Sequence, residues 1–136
     1  MSNKERVLFI CEHNAGRSQI AEGLLRTLRG DRYDVASAGT EPASQVNPLI
    51  IEVMREIGID ITGYRPKPLI SFMDSRYDRI VVLCECRGTC TILPQADRVE
   101  YRIFSDPYQY TGSDEERKKK FRELRDAIKA WIENEF

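Results

Sequence analysis

A chain of 136 residues has the length of one compact domain, and we expect a single domain spanning residues 1–136. Hydrophobic residues make up 41% and charged residues 32%, a balance that excludes an intrinsically disordered chain. The net charge of -1 argues against a nucleic-acid partner or an anionic membrane, and no apolar run approaches the roughly 20 residues of a membrane span. We therefore expect a cytoplasmic globular protein that holds any anion in a local site.

The first half of the chain predicts two strands and two helices. The apolar run at 7–10 is typical of a strand covered on both faces, and apolar residues at 20, 24, 25 and 28 predict a helix from near Ser18 to Gly30. The sequence YDVASAG at 33–39 predicts a second strand. Asn47 then caps and Pro48 opens a second helix, which we expect to end at Gly58.

The second half predicts two further strands and a long final helix. Two prolines make 61–70 a loop, and ISFMDSR at 70–76 predicts a short helix. DRIVVLC at 78–84 predicts a buried strand, and RVEYRIF at 98–104 a weaker one. Ser113 and Glu116 have the spacing of a capping box, ahead of apolar residues at 121, 124, 128 and 132. Strands alternating with helices predict an α/β fold with a parallel sheet, whose ligands bind at the carboxyl ends of the strands.

A cysteine stands at that end of the first strand. Cys11 follows the apolar run directly, and the segment EHNAG connects it to the first helix. Backbone N–H groups and the helix dipole stabilise a thiolate at a helix N-terminus, where cysteine pKa values fall from about 8.5 to roughly 3.5–7.5. A buried structural cysteine is the alternative. The position between strand and helix favours a reactive thiol.

The residues after Cys11 suit an oxyanion. We expect the backbone N–H groups of residues 12–17, Glu12 and His13 included, to form an anion-binding nest above the sulfur. Arg17 can grip two oxygens of the anion with its planar guanidinium. Asn14 tolerates a left-handed backbone, whereas Ala15 and Gly16 keep the cradle free of large side chains. Two roles stay open for Ser18: capping the helix, or donating its hydroxyl to the sulfur.

The segment CEHNAGRSQIAEG resembles the active-site loop of the low-molecular-weight protein tyrosine phosphatase superfamily, and most closely its arsenate reductase branch. ASAGTEP at 36–42, GIDITGYRPKPL at 58–69, the Asp106-Pro107 pair and FRELRDAI at 121–128 extend the resemblance over nearly the whole chain. It implies a four-stranded parallel sheet flanked by helices. It also implies that Cys11 is the nucleophile, Arg17 the oxyanion clamp and Ser18 the stabiliser of the thiolate.

The same resemblance makes Asp106 the general acid. A loop carboxylate beyond the last strand can protonate the oxygen that leaves when a thiolate attacks, although an Asp-Pro pair is also an ordinary turn. One departure lies in the loop itself. The phosphatase branch usually carries cysteine and proline where this chain has Gly16 and Gln19.

Three further cysteines follow the third strand in LCECRGTC. A reductase needs two electrons, which thiols supply through disulfide exchange. The Cys-x3-Cys spacing resembles some reductases and predicts Cys86 as the second cysteine of the relay and Cys90 as the third, whereas the wider spacing of other members favours Cys84 as the second. Strand alternation also allows Cys84 to be a core residue. We expect no bound cofactor or metal, an external thiol reductant such as thioredoxin, and a monomer.

Two other functions remain open. Tyr108 and Tyr110 after Asp106-Pro107 favour a phosphatase, because such residues hold the phenyl ring of phosphotyrosine. Alternatively, Cys84, Cys86 and Cys90 with one further ligand form a structural zinc site in a binding module. Their spacing is poor for zinc, since Cys-x2-Cys pairs are the usual ligand knuckles. We therefore favour arsenate reduction, then phosphate-ester hydrolysis.

Overall fold

A computed structural model describes residues 4–85 and 92–136. Strands and helices alternate as the sequence predicts. The elements in chain order are β1 (Glu5–Cys11), α1 (Arg17–Arg29), β2 (Tyr33–Gly39), α2 (Pro48–Arg55), a 3-10 helix (Leu69–Phe72), β3 (Arg76–Val82), β4 (Gln95–Tyr101), a 3-10 turn (Pro107–Gln109) and α3 (Asp114–Glu135). Among these described helices, none is long and apolar enough to span a membrane.

The four strands form one parallel sheet in the order β2-β1-β3-β4, which confirms the predicted fold class. β1 and β3 are the two central strands, with Ile10 opposite Val82. After β1 the chain forms β2 on one side of β1, and it then crosses back to form β3 on the other side of β1. The strand order therefore reverses between β1 and β3, where open α/β sheets place their ligands.

Two apolar clusters cover the two faces of the sheet. The larger cluster joins β1 and β3 to apolar residues of all three helices, as their periodicity predicts; its fully buried members include Phe9, Leu24, Ile50, Val81 and Phe121. The smaller cluster lies on the other face and includes Leu8, Ile10, Leu69, Val82, Cys11 and Cys84. Both faces of the central strands are thus buried, which explains their continuous apolar runs.

Several element boundaries differ from the prediction. α2 ends at Arg55 rather than at Gly58, because the N–H groups of Ile57 and Gly58 bond three residues back and tighten the chain into a turn. Gly58 then takes a left-handed φ of 80°. β4 covers 95–101 rather than 98–104, since it is an edge strand that follows β3 only as far as Tyr101. The predicted Ser113 cap of α3 is confirmed, with Ser113 accepting from the N–H of Glu116.

Candidate active site

Cys11 is the last residue of β1 and is only 2% exposed. α1 begins at Arg17, so residues 12–16 make the whole connection between strand and helix. The sulfur lies 2.8 Å from the hydroxyl oxygen of Ser18, in the first turn of α1. The free N–H groups and the positive end of that helix are therefore close enough to stabilise negative charge on the sulfur.

The loop folds back toward the sulfur through Asn14. Asn14 has a left-handed φ of 51°, as predicted, and its N–H donates to the Cys11 sulfur at 3.2 Å. The loop passes so close to the end of β2 that a Cβ on Gly39 would lie 2.7 Å from the carbonyl oxygen of Glu12. Gly39 is therefore needed for this loop path, because any larger residue would meet backbone.

Ser18 contacts the sulfur and does not cap the helix. The N-cap of α1 is Gly16, and no side chain caps the helix there, so the capping alternative is wrong. Ser18 is fully buried, and the side-chain nitrogen of Asn14 donates to its oxygen at 2.6 Å. Gln19, where the phosphatase branch has proline, instead donates to the carbonyl oxygens of Asn14 at 3.0 Å and Arg65 at 2.9 Å. These bonds tie the loop at 61–70 to residues 12–16, which we call the sulfur-binding loop because its Asn14 donates to the Cys11 sulfur.

Arg17 and Asp106 meet across the opening of the site. Arg17 is 5% exposed, and one guanidinium nitrogen donates to the carbonyl oxygen of Phe104 at 3.2 Å. Another lies 3.8 Å from the Asp106 carboxylate. An anion bound by Arg17 would therefore lie close to a carboxyl group that can exchange protons with it.

Pro107 packs tightly against the sulfur-binding loop. A Cβ on Gly16 would lie 3.0 Å from Cγ of Pro107, a distance that real side chains rarely show. The absence of a side chain at Gly16 therefore lets the Asp106-Pro107 loop approach the loop that precedes Arg17. This contact gives a structural reason for the glycine where the phosphatase branch has cysteine.

Arg17 and Asp106 line a cleft of about 640 Å³. Its walls include Glu12, His13, Arg17, Asp106, Tyr110 and Cys84. His13 is fixed at the rim by a hydrogen bond between Nδ1 and the carbonyl oxygen of Glu41, 3.0 Å apart. Tyr110 is half-buried against Phe121, with ring centroids 5.3 Å apart, and its hydroxyl bonds to Ser105. The side chain of Tyr108 is outside the described part of the structure.

Cys84 lies beyond the end of β3 and is 2% exposed. It shares the smaller apolar cluster with Cys11, on the same side of the sheet, and it also lines the cleft. Cys86 and Cys90, on which the predicted relay and the zinc alternative depend, lie outside the described residues. The described ranges 4–85 and 92–136 contain Cys11 and Cys84, and no disulfide joins these two residues.

The site contains residues that sequence reasoning did not identify. A polar group lies behind Asn14 and consists of the buried Ser37 on β2 and Glu22 on α1 with the partly exposed Lys67 of the loop at 61–70. Glu22 and Ser37 are 4% and 0% exposed. A glutamate within the predicted apolar helix was a usable signal, because a buried carboxylate requires polar or charged partners.

Comparisons with known proteins agree with this geometry. A family model for low molecular weight phosphotyrosine protein phosphatase matches residues 6–135. A glutaredoxin arsenate reductase of Synechocystis sp. is 37% identical over 130 residues, which cover 96% of this chain and 95% of that relative. The solved structure of an arsenate reductase in oxidized state is 34% identical, with a TM-score of 0.78 and coverage of 96% and 95%. The thioredoxin-dependent arsenate reductase of Corynebacterium glutamicum is 30% identical, with a TM-score of 0.64 and coverage of 99% and 65%.

Proposed function

Because this chain belongs to the low molecular weight phosphotyrosine protein phosphatase family, and its relatives include named arsenate reductases, we propose that it reduces arsenate to arsenite. One observation carries the proposal. The buried Cys11 thiol contacts the first turn of α1, where Arg17 meets Asp106 in a cleft that a second buried thiol, Cys84, also lines. The first three groups suit attack on an oxyanion, and the second thiol suits the reduction that follows.

Arsenate binds first, between the loop N–H groups of residues 12–17 and the Arg17 guanidinium. The Cys11 thiolate attacks arsenic, a sulfur–arsenic bond forms, and one arsenate oxygen leaves as water after taking a proton from Asp106. The N–H of Asn14 and the hydroxyl of Ser18, at 3.2 and 2.8 Å from the sulfur, support the thiolate before attack. Arsenic is still pentavalent in this adduct.

Reduction occurs when a second cysteine attacks the Cys11 sulfur. A disulfide forms, the sulfur–arsenic bond breaks, and its electron pair stays on arsenic, which leaves as trivalent arsenite. A third cysteine then attacks this disulfide, passing the oxidation outward to a new disulfide. An external dithiol reduces that bond and returns the enzyme to its starting state.

We propose that the relay is drawn from Cys84, Cys86 and Cys90. The sequence predicts Cys86 as the second cysteine and Cys90 as the third. The placement of Cys84 supports the alternative order, because Cys84 lies in the same apolar cluster as Cys11 and lines the cleft of Arg17 and Asp106. In the alternative, Cys84 makes the first attack and Cys86 or Cys90 completes the relay.

We propose a thioredoxin or glutaredoxin as the external reductant, since relatives are named for each. A relay that must be re-reduced after every turnover belongs in a compartment with reduced thiol pools, so we assign the activity to the cytoplasm. No bound cofactor is needed, because the electrons come from thiols.

Phosphate-ester hydrolysis is a second activity that the site supports. Cys11, Arg17 and Asp106 are enough for attack on phosphorus and protonation of the leaving oxygen. The specific observation is that Tyr110 lines the same cleft as Asp106, where an aromatic ring can contact an aryl group. Phosphate and arsenate share shape and charge, so we expect slow hydrolysis of aryl phosphates beside arsenate reduction.

Two assays on the same preparation test the proposal. We expect continuous arsenite production when arsenate is supplied with thioredoxin, thioredoxin reductase and NADPH, or with the matching glutaredoxin system. Hydrolysis of para-nitrophenyl phosphate is measured in parallel. Hydrolysis without arsenite from either reducing system would show that the protein is a phosphatase.

Arg17→Lys is expected to lower turnover at low substrate by roughly 100-fold in both assays. Lysine keeps the positive charge but loses the planar fork that holds two oxygens and donates to the carbonyl of Phe104. The measurement is kcat/KM for arsenate and for para-nitrophenyl phosphate. Arg55→Lys, on exposed helix surface away from the cleft, is the matched control. Near-native kcat/KM in Arg17→Lys would mean that the backbone N–H groups alone hold the anion.

Gly16→Ala is expected to slow phosphate-ester hydrolysis by about threefold to tenfold, because the new Cβ pushes Pro107 and with it Asp106. A displaced acid matters most for poor leaving groups. The loss should therefore be larger with phenyl phosphate than with para-nitrophenyl phosphate. Gly63→Ala is the control, since no atom lies within 4 Å of a Cβ built there. An equal loss with both esters would argue against displacement of Asp106.

A further inference from the structure

A buried carboxylate lies behind the sulfur-binding loop without contacting the sulfur. Glu22 on α1 is 4% exposed, and one carboxylate oxygen lies 2.8 Å from a guanidinium nitrogen of Arg26. The other oxygen lies 3.4 Å from the ammonium group of Lys67 and accepts from the hydroxyl of Ser37 at 2.5 Å. Burying a glutamate is costly unless its oxygens are satisfied, and here both are.

A continuous chain of hydrogen bonds joins this carboxylate to the nucleophile. Ser37 accepts from the side-chain nitrogen of Asn14 at 2.9 Å. The same nitrogen donates to the hydroxyl oxygen of Ser18 at 2.6 Å, and that oxygen lies 2.8 Å from the Cys11 sulfur. Cys11, Asn14, Ser18 and Ser37 are all at most 2% exposed, so solvent offers them no alternative partners.

The direction of donation follows from the chemistry of the end group. A carboxylate can only accept, so the single proton of Ser37 is committed to Glu22. Ser37 must then accept from Asn14, which fixes the amide with its nitrogen toward both hydroxyls. The oxygen of Asn14 is held on the opposite side by the backbone N–H of Lys67 at 2.9 Å. Ser18 accepts the second amide proton, which leaves its own proton for the sulfur.

We propose that Glu22 is a positioning residue that, through Ser37 and Asn14, directs the hydroxyl proton of Ser18 at the Cys11 thiolate. The inference rests on the proposed function in one respect, namely that Cys11 reacts as a thiolate. Lys67 supports this role. Its ammonium group lies 3.4 Å from both the Glu22 carboxylate and the Ser37 hydroxyl, so it fills the remaining acceptor site of Ser37.

Glu22→Gln separates this role from a simple charge effect, because the two predict opposite shifts in the pH at which the Cys11 thiolate forms. Removing a negative charge near a thiol favours the thiolate and lowers the pH at which it forms. A neutral amide, however, can donate to Ser37 as well as accept, so the fixed direction is lost and Ser18 is no longer committed to the sulfur. We therefore expect Glu22→Gln to raise that pH by about one unit, a tenfold change in thiolate fraction.

The readout is the pH dependence of Cys11 alkylation by iodoacetamide, followed by peptide mass mapping, which needs no turnover. The other charged groups around the sulfur are unchanged by the substitution; those lining the cleft are Glu12, His13, Arg17, Glu85 and Asp106. Glu123→Gln, an exposed position on α3, makes the same charge change elsewhere. A midpoint that falls or stays constant in Glu22→Gln would overturn the inference.

Ser37→Ala provides a second test that changes no charge. We expect it to raise the alkylation midpoint as Glu22→Gln does, and to remove the effect of Glu22→Gln when the two are combined. Independent effects in the double variant, or no effect of Ser37→Ala alone, would also overturn the inference. A wild-type Cys11 that alkylates like an ordinary thiol, with a midpoint near about 8.5, would instead contradict the nucleophile assignment and hence the proposed function.

Discussion

Replacing Cys11 by serine is expected to abolish arsenate reduction and to lower phosphate-ester hydrolysis by roughly 10⁴-fold or more, as loss of a nucleophile does in other enzymes. A serine hydroxyl is not ionised near neutral pH, so the N–H of Asn14 and the hydroxyl of Ser18 have no anion to stabilise. The measurements are arsenite release with a coupled reductant and para-nitrophenyl phosphate hydrolysis.

The fold should survive this substitution, because sulfur is replaced by a smaller atom whose polar partners remain. Circular dichroism and the thermal unfolding midpoint check that point. Arsenate should still protect the Cys11→Ser protein against unfolding, since Arg17 and the loop N–H groups are retained. Substantial turnover by a correctly folded Cys11→Ser protein would show that another group is the nucleophile.

The features that the sequence predicts well are those determined by local chemistry. The run at 7–10 is apolar on both faces because β1 is a central strand, and the pattern alone reveals this. Asn14 was expected to be left-handed because few other side chains tolerate that backbone, and its φ of 51° agrees. The capping residues Asn47 and Ser113 act within three positions of their own sequence, and both contacts are present.

The features that the sequence does not reveal depend on contacts between distant segments. Ser37 lies 23 positions from Asn14, and Lys67 lies 45 positions from Glu22. No local periodicity encodes such pairs, because they arise only when β2 and the loop at 61–70 are brought against α1. The close approach of Pro107 to Gly16 joins segments about 90 positions apart and was equally hidden. The surroundings of Cys11 formed by Asn14 and Ser18 were therefore predictable, whereas Glu22, Ser37 and Lys67 behind them were not.

Removing relay cysteines is expected to stop multiple-turnover arsenate reduction while leaving phosphate-ester hydrolysis nearly intact. Hydrolysis uses Cys11, Arg17 and Asp106, and none of these changes. Reduction stops because the electron path from the external reductant to Cys11 is cut. The double variant Cys86→Ser/Cys90→Ser retains Cys11 and Cys84, and the complementary variant Cys84→Ser retains Cys11, Cys86 and Cys90. Thermal unfolding of Cys84→Ser checks that a hydroxyl at this buried position is tolerated.

A single turnover without external reductant then distinguishes the two orders. Because Cys84 shares a buried cluster with Cys11 and lines the cleft of Arg17 and Asp106, we expect the double variant to release one arsenite per protein and to stop as a Cys11–Cys84 disulfide. The Cys84→Ser variant should release none. The opposite pattern, with one arsenite and a Cys86–Cys90 disulfide from Cys84→Ser alone, would show that Cys86 or Cys90, rather than Cys84, makes the first attack. If neither variant releases arsenite although both hydrolyse para-nitrophenyl phosphate, the same single turnover is measured on the wild-type protein. A burst of one arsenite from the wild-type protein would show that reduction needs all three cysteines together. The absence of a burst would exclude a reductase.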